Sequence, residues 1–255
     1  MLKVVLLGGG NIAYHLFTAF GKLSSVSLIQ CYNRNIHSIK EFGKFTQITD
    51  NINSLEKADI YIIAVADDAI AQVSDMLPFS DNFVVHTSGN VSMYSMNAKN
   101  RRGVLYPLQT FSKEKLVDFG TLPICIEAED EKDFNFLKAF SSELSTHVYE
   151  INSEQRKVIH LAAVFVNNFV NHLYYIGHEL CEKNNVPFNI LHPLIEETTH
   201  KIMELTPKEA QTGPAKRNDQ STINAHLEQL PNKNHKEIYK LLTASIQNTY
   251  GRKKL

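Results

Sequence analysis

The chain opens almost at once on KVVLLGGGNIAYHL, Lys3 to Leu16, and no other stretch constrains the fold as strongly. KVVLL is an unbroken apolar run stopped by glycine, the pattern of a strand buried on both faces. From Ile12 the apolar residues recur at helical spacing. Between the two, Gly8-Gly9-Gly10-Asn11-Ile12-Ala13 fits G-x-G-x-x-[G/A] in the order strand, turn, helix that this motif requires. The pattern predicts that Gly8 makes the tight turn. Gly10 leaves the backbone bare for a pyrophosphate, and Ala13 lets helix and strand pack closely. The N–H groups of the helix start, at Asn11 and Ile12, face the phosphates. A purely structural strand-to-helix turn is the alternative.

The following residues repeat this alternation. VSLIQCY, ADIYIIAVA, NFVVHTSG, GVLYPLQTF, LPICIEA and THVYEI read as further strands. Helix-compatible segments lie at Ile12–Leu23, His37–Phe42, Asp68–Met76 and Asp130–Leu144. Strands alternating with helices predict βαβ units and a parallel sheet. After Ile151 the strand pattern stops. NSEQRKVIHLAAVFVNNFVNHLYYIGHELCEKNN reads as one long helix, capped by Asn152 or Ser153 and ended by Asn184-Asn185 and Pro187. FNILHPLIEETTHKIMELT is a second helix, kinked or restarted at Pro193. DQSTINAHLEQL is a third with Asp219 as cap, and NHKEIYKLLTASIQNTY is the last. The expected organisation is a doubly wound α/β dinucleotide-binding domain over residues 1–151 and an all-helical C-terminal domain over residues 152–255.

Bulk properties exclude several classes. A net charge of -1 and 21% charged residues give no basic surface for nucleic acid or an anionic membrane. Cys31, Cys125 and Cys181 have neither zinc spacing nor a disulfide framework, so no metal is expected and the thiols read as reduced, in a cytoplasmic protein. No signal peptide is expected at the start. The apolar stretch Val158–Gly177 carries His160, Asn167, Asn168, Asn171 and His172, too polar for a lipid-facing span. The basic tail GRKKL reads as solvated.

Two further places bear on the cofactor. NAD-preferring sites carry an acid at the end of the second strand to hold the ribose 2′-OH. Here the sequence is CYNRN, with no acid at Tyr32, Asn33 or Arg34. A guanidinium at Arg34 suits a 2′-phosphate, which points to NADP(H), with Asn33 beside it. It also argues against a methyltransferase. AVADDAI follows the third main strand, so Val65, Ala66 and Asp67 are placed along the cofactor, with Asp67 or Asp68 as the cap of the next helix. HTSGN closes the next strand at the same edge, placing His86, Thr87 and Ser88 near the nicotinamide.

GGGNIA, HTSGN, GVLYPLQTF, HLAAVFVNNFV and GPAKRND together resemble a family of Rossmann-like oxidoreductases with a helical C-terminal domain of unknown function. That family is related to pyrroline-5-carboxylate reductase, ketopantoate reductase and the β-hydroxyacid dehydrogenases. The resemblance spans Gly8 to Asp219 and implies NADP dependence and an intertwined dimer. It also exposes departures. The β-hydroxyacid dehydrogenases carry a catalytic lysine three residues before an Asn pair. Here the pair is Asn167-Asn168, and Val164 stands at the lysine position. Tyr106 precedes Pro107 where the family is expected to have His-Pro.

His160, Asn167, Asn171 and His178 recur at intervals of seven, four and seven and so share a helix face. They line either a substrate pocket or a helical dimer interface. In TGPAKRND, Lys216 and Arg217 either bind a substrate carboxylate or phosphate or flank a helix capped by Asp219. The expected function is an NADP(H)-dependent oxidoreductase acting on a small anionic carbonyl or imine compound in an interdomain cleft, as a homodimer through the helical domain. His86 and His160 are the candidate general acids. Asn167 orients the substrate, and Asn171, Lys216 and Arg217 contact it. The alternatives are a noncatalytic NADP(H)-binding sensor, motivated by Val164, and an assembly module that has lost its ligand.

Overall fold

A computed structural model describes residues 1–250; the tail GRKKL lies outside the described residues. The first part is an eight-stranded sheet. Its strands are β1 (Leu2–Leu7), β2 (Val26–Tyr32), β3 (Gln47–Thr49), β4 (Ile60–Ile63), β5 (Phe83–His86), β6 (Arg101–Pro107), β7 (Ile124–Ala128) and β8 (Val148–Glu150). Helices α1 (Asn11–Phe20), α2 (Ile70–Met76) and α3 (Glu131–Leu144) connect them. The spatial order is β3-β2-β1-β4-β5-β6-β7-β8. Every neighbouring pair is parallel except β6 and β7. The winding reverses between β1 and β4, so a crevice opens beyond their carboxyl ends, where such sheets bind ligands.

The strand pattern fixes two cores. Val4 and Leu6 point to one face, with Leu16, Phe20, Ile62 and Val85. Val5 and Leu7 point to the other, with Tyr61, Ile63, Ile70 and Val84. All four β1 residues are fully buried, each contributing roughly 1.5–3 kcal/mol through loss of water contact. A continuous apolar run is the only pattern that fills both faces at once.

Several expectations are corrected. β3 was not foreseen: it has three residues and an exposed Gln47, too short for a periodic signal. His37–Phe42 forms no α-helix; two 3-10 turns, Ile36–Ile39 and Phe42–Lys44, take its place. Neither Asp67 nor Asp68 caps α2. They sit in a 3-10 turn before it and make no side-chain cap bond. The expected long helix is instead α4 (Ser153–Ala163), a π-helical segment Val164–Phe169 and α5 (Val170–Lys183). Its cap is Asn152, whose side chain accepts from the Gln155 N–H at 2.9 Å while Gln155 answers at 3.0 Å, a capping box.

The chain divides into two compact units at Asn168 and Phe169. The change from strands to helices, after Glu150, comes earlier, so α4 belongs to the sheet unit. The second unit holds α5, α6 (His192–Glu204), α7 (Pro207–Ala210), α8 (Pro214–Arg217), α9 (Gln220–Gln229) and α10 (Lys233–Tyr250). No strand follows Glu150 among the described residues. Pro193 stands in the first turn of α6, where its missing N–H is harmless. Asp219 caps α9, accepting from the Thr222 N–H at 3.1 Å. GPAKRND folds as α8, opened by Gly213 at φ 102 and closed by Asn218 in the left-handed region.

Candidate functional site

The crevice at the sheet's carboxyl edge widens into a cavity of about 1030 Å³ within the first unit. The glycine turn forms one end. Gly8 has φ +138, and a Cβ there would lie 2.0 Å from the Ala64 carbonyl oxygen, so only glycine lets the ends of β1 and β4 meet. Gly10 differs: a Cβ there would meet nothing within 4 Å. Its space is the cavity itself. Gly10 is also the N-cap of α1 and supplies no side chain to the first turn. The leading N–H groups of α1 therefore face the cavity end without a side-chain acceptor.

Asn33 and Ser38 line this end together with Gly9, Asn11 and Ile12. Arg34 follows Asn33 as an exposed residue outside the lining. Ala64, Val65 and Ala66 form the floor beyond β4, while Asp67 lies outside it. A segment after β6 closes the other side. The Asn11 amide donates to the Phe111 carbonyl at 2.9 Å, and Nε2 of the buried His15 meets the Ser112 carbonyl at 2.8 Å. Leu108 to Phe111 are thereby held along the cavity.

The far wall is α4 and the π-helical segment. Its anchor is Arg156, 1% exposed. Arg156 donates to Glu127 at 2.6 Å, to the Ser88 carbonyl at 3.1 Å and to the Val91 carbonyl at 2.6 Å. One cation thus locks α4 to β7 and to the loop after β5. A buried charge is tolerable only when paired and hydrogen-bonded in this way. His160 stands one helical turn after Arg156, on the same face, and lines the cavity. Ile159, Ala163, Val164, Val166, Asn167 and Asn168 complete that wall. The π-helical turn, wider than an α-turn, lets neighbouring positions share one wall, and such turns concentrate at functional sites. Asn167 and Asn168 are exposed, so their amides stay available rather than being spent in a core.

His86 is fully buried and is not part of the lining. Burial, reinforced by the Arg156 charge, pushes its pKa down to about 3, and its Nδ1 accepts from the Ser88 N–H at 3.1 Å. Ser88 is buried too; its hydroxyl accepts from the N–H groups of Asn90 and Val91, each at 3.0 Å. Both residues shape the loop instead of lining the cavity. Asn171, Lys216 and Arg217 belong to the second unit. There Lys216 donates to the Gln211 carbonyl at 2.6 Å, and Arg217 is exposed.

Sequence reading passed over Ser38, Tyr106 as a wall residue, the 108–111 segment and Arg156. GVLYPLQTF carried a signal, being one of the matching stretches, but it read as strand throughout. The chain leaves the strand at Pro107.

A solved structure from Bacteroides fragilis, a candidate NADP oxidoreductase, is 39% identical, with a TM-score of 0.89 over 97% of this chain and 98% of that one. The chain belongs to that protein's family. This is the Rossmann-like oxidoreductase family with a helical C-terminal domain. A domain of unknown function, DUF2520, matches residues 122–246. More distant structures share the fold. Protein TM1727 of Thermotoga maritima is 20% identical with a TM-score of 0.71, over 97% of this chain and 98% of that one. A reductive aminase of Aspergillus terreus, solved with NADPH and ethyl-5-oxohexanoate, is 13% identical with a TM-score of 0.72, over 98% and 93%. The comparison with curated proteins found no match. Val164, which the resemblance to the β-hydroxyacid dehydrogenases sets against a lysine, lines the cavity.

Proposed function

We propose that the chain is an NADP(H)-dependent oxidoreductase that reduces a small carbonyl or imine compound. The observation that carries this is the open space at Gly10, directly before a helix start that no side chain caps. The residues present fit a dinucleotide. Gly9, Gly10, Asn11 and Ile12 would hold the pyrophosphate, and Val65 and Ala66 would run along its middle. Asn33, Arg34 and Ser38 would meet the 2′-phosphate. When bound, the reduced nicotinamide supplies a hydride.

The protein's part is position, dryness and a proton. His160 is the histidine that supplies the proton on this wall, because it lines the cavity while His86 does not. Asn167 orients the substrate through its amide. Among the described lining residues none is Lys, Arg, Asp or Glu. The cavity lining of the first unit therefore offers no cation that would select an anionic substrate.

The working species is proposed to be a homodimer through the helical unit. Leu173, Ile190, Leu194, Met203 and Leu241 are 39% to 77% exposed there, and few residues are buried. Apolar area of this extent on a helical unit is what a second copy covers.

Titration with NADPH and NADH tests the assignment. NADPH is expected to bind at least about tenfold tighter, and Arg34→Ala or Ser38→Ala to narrow that gap. Absence of binding by either nucleotide overturns the proposal and makes the glycine turn structural. Binding without turnover across ketones and imines favours the sensor reading that Val164 motivates.

A further inference from the structure

Tyr106 and His160 are the only ionisable residues among those described along the cavity. Tyr106 closes β6, and its hydroxyl lies 3.4 Å from Nδ1 of His160. The rings meet edge to face at 6.4 Å between centroids. Sequence separation gives no hint of this pair, since the two positions are 54 residues apart. Three features of the fold bring them together. The strand end fixes Tyr106, Arg156 fixes α4 one turn before His160, and Gly89 leaves the gap. A Cβ on Gly89 would lie 2.8 Å from both the Tyr106 hydroxyl and His160 Nδ1. Gly89 sits in the same loop that Arg156 holds through the Ser88 and Val91 carbonyls.

We infer that the Tyr106 hydroxyl is the group that hands the proton to the substrate heteroatom, with His160 Nδ1 behind it as the source that restores that proton. This rests on the proposed reductase activity. As the substrate carbon accepts a hydride from the reduced nicotinamide, the C=O or C=N π pair moves to the heteroatom. The heteroatom takes H⁺ from the Tyr106 Oη–H bond, whose electrons stay on the phenolate oxygen. That oxygen takes H⁺ from Nδ1 of His160, and the partly buried imidazole regains a proton from water. Charge and electrons balance as one hydride and one proton added to the double bond.

The surroundings suit this role. Cys125 on β7, Arg156 and His160 on α4, and Asp67 after β4 are the titratable or charged groups facing Tyr106. Burial, with Cys125 beside it, pushes the phenol up to about 12, so Tyr106 stays protonated between turnovers. Arg156 works the other way and steadies the phenolate once it forms. A contact of 3.4 Å is at the outer edge of hydrogen bonding, and such contacts commonly tighten only when substrate is bound.

The test compares wild type with Tyr106→Phe and His160→Gln, using NADPH with pyrroline as cyclic imine and ethyl levulinate as keto ester. Tyr106→Phe keeps the ring and removes only the hydroxyl. It is expected to bind NADPH as wild type does, to lose about a hundredfold or more in kcat, and to show an altered pH profile of kcat. His160→Gln is expected to lose less, because water can slowly reprotonate the phenolate. Turnover of Tyr106→Phe within about threefold of wild type overturns the inference while leaving the reductase reading intact. A wild type that binds no NADPH overturns both. For a wild type that binds NADPH but reduces neither probe, nitrogen NMR of His160 decides. A Nδ1 signal that moves in Tyr106→Phe upholds the pair, and one that does not move overturns it.

Discussion

At the scale of single residues, His86 makes a prediction that needs no ligand. It is fully buried, with its pKa pushed down from 6.5 to about 3 by burial and by Arg156. Above pH 6.5 the imidazole is neutral whether the chain is folded or unfolded, and it contributes no pH dependence. Below that, the unfolded chain takes up a proton that the folded chain refuses. Stability is therefore expected to fall as pH drops from 6.5 toward about 3, by on the order of a few kcal/mol in total. His86→Asn, which keeps an acceptor for the Ser88 N–H, should flatten that part of the curve in denaturant titrations across pH. An unchanged slope would mean that His86 does not control it. Gly8 gives a second prediction. With φ +138 and the Ala64 carbonyl in the way, Gly8→Ala should cost about 3 kcal/mol or more in thermal or chemical unfolding. Gly8 was legible in the sequence because its motif encodes a local turn. Tyr106 and Gly89 were not, because their contact is made between a strand end, a loop and a helix far apart in the chain. Arg156 was hidden for the same reason: nothing in RKVIH says that its charge is buried.

At the scale of elements, the π-helical segment Val164–Phe169 decides how the helix presents Asn167 and Asn168. Deleting Val166 removes the extra residue and should restore an α-helix. The flanking helices would keep their register while the widened turn is lost, and with it the placement of Asn167 and Asn168 on the cavity wall. Circular dichroism should show undiminished helix content while turnover falls. Retained turnover would show that the register of the segment is unimportant. The parallel strands and their connecting helices were legible from apolar runs bounded by glycine. The π turn was not, because an apolar helix with no Gly or Pro keeps its periodicity signal through one widened turn. The three-residue β3 and the 3-10 turns after β2 were likewise too short for any period to register. Asp67 and Asp68 mimic a cap in sequence, but the chain passes through a 3-10 turn there and the helix begins later.

At the scale of the whole molecule, the two units divide the work of stability unequally. The sheet unit buries continuous apolar strands on both faces. The helical unit leaves large apolar side chains in the open, Leu241 at 72% and Met203 at 77% exposed among them. Sedimentation of the wild type is expected to give twice the chain mass, and Leu241→Glu should shift it toward a single chain. A wild type that sediments as one chain would contradict the dimer. In the first unit, the open space in front of Gly10 is the place proposed for the dinucleotide. A Cβ at Gly10 meets nothing, and its φ of -77 suits any residue. Gly10→Val should therefore unfold within about 1 kcal/mol of wild type, since neither strain nor clash opposes it. The same side chain would fill the place of a pyrophosphate. The most direct measurement is a fluorescence titration of wild type and Gly10→Val with NADPH. Tight binding by the wild type and at least about a hundredfold loss in a variant whose fold is intact is the expected result. Equal affinity of the two proteins would contradict it.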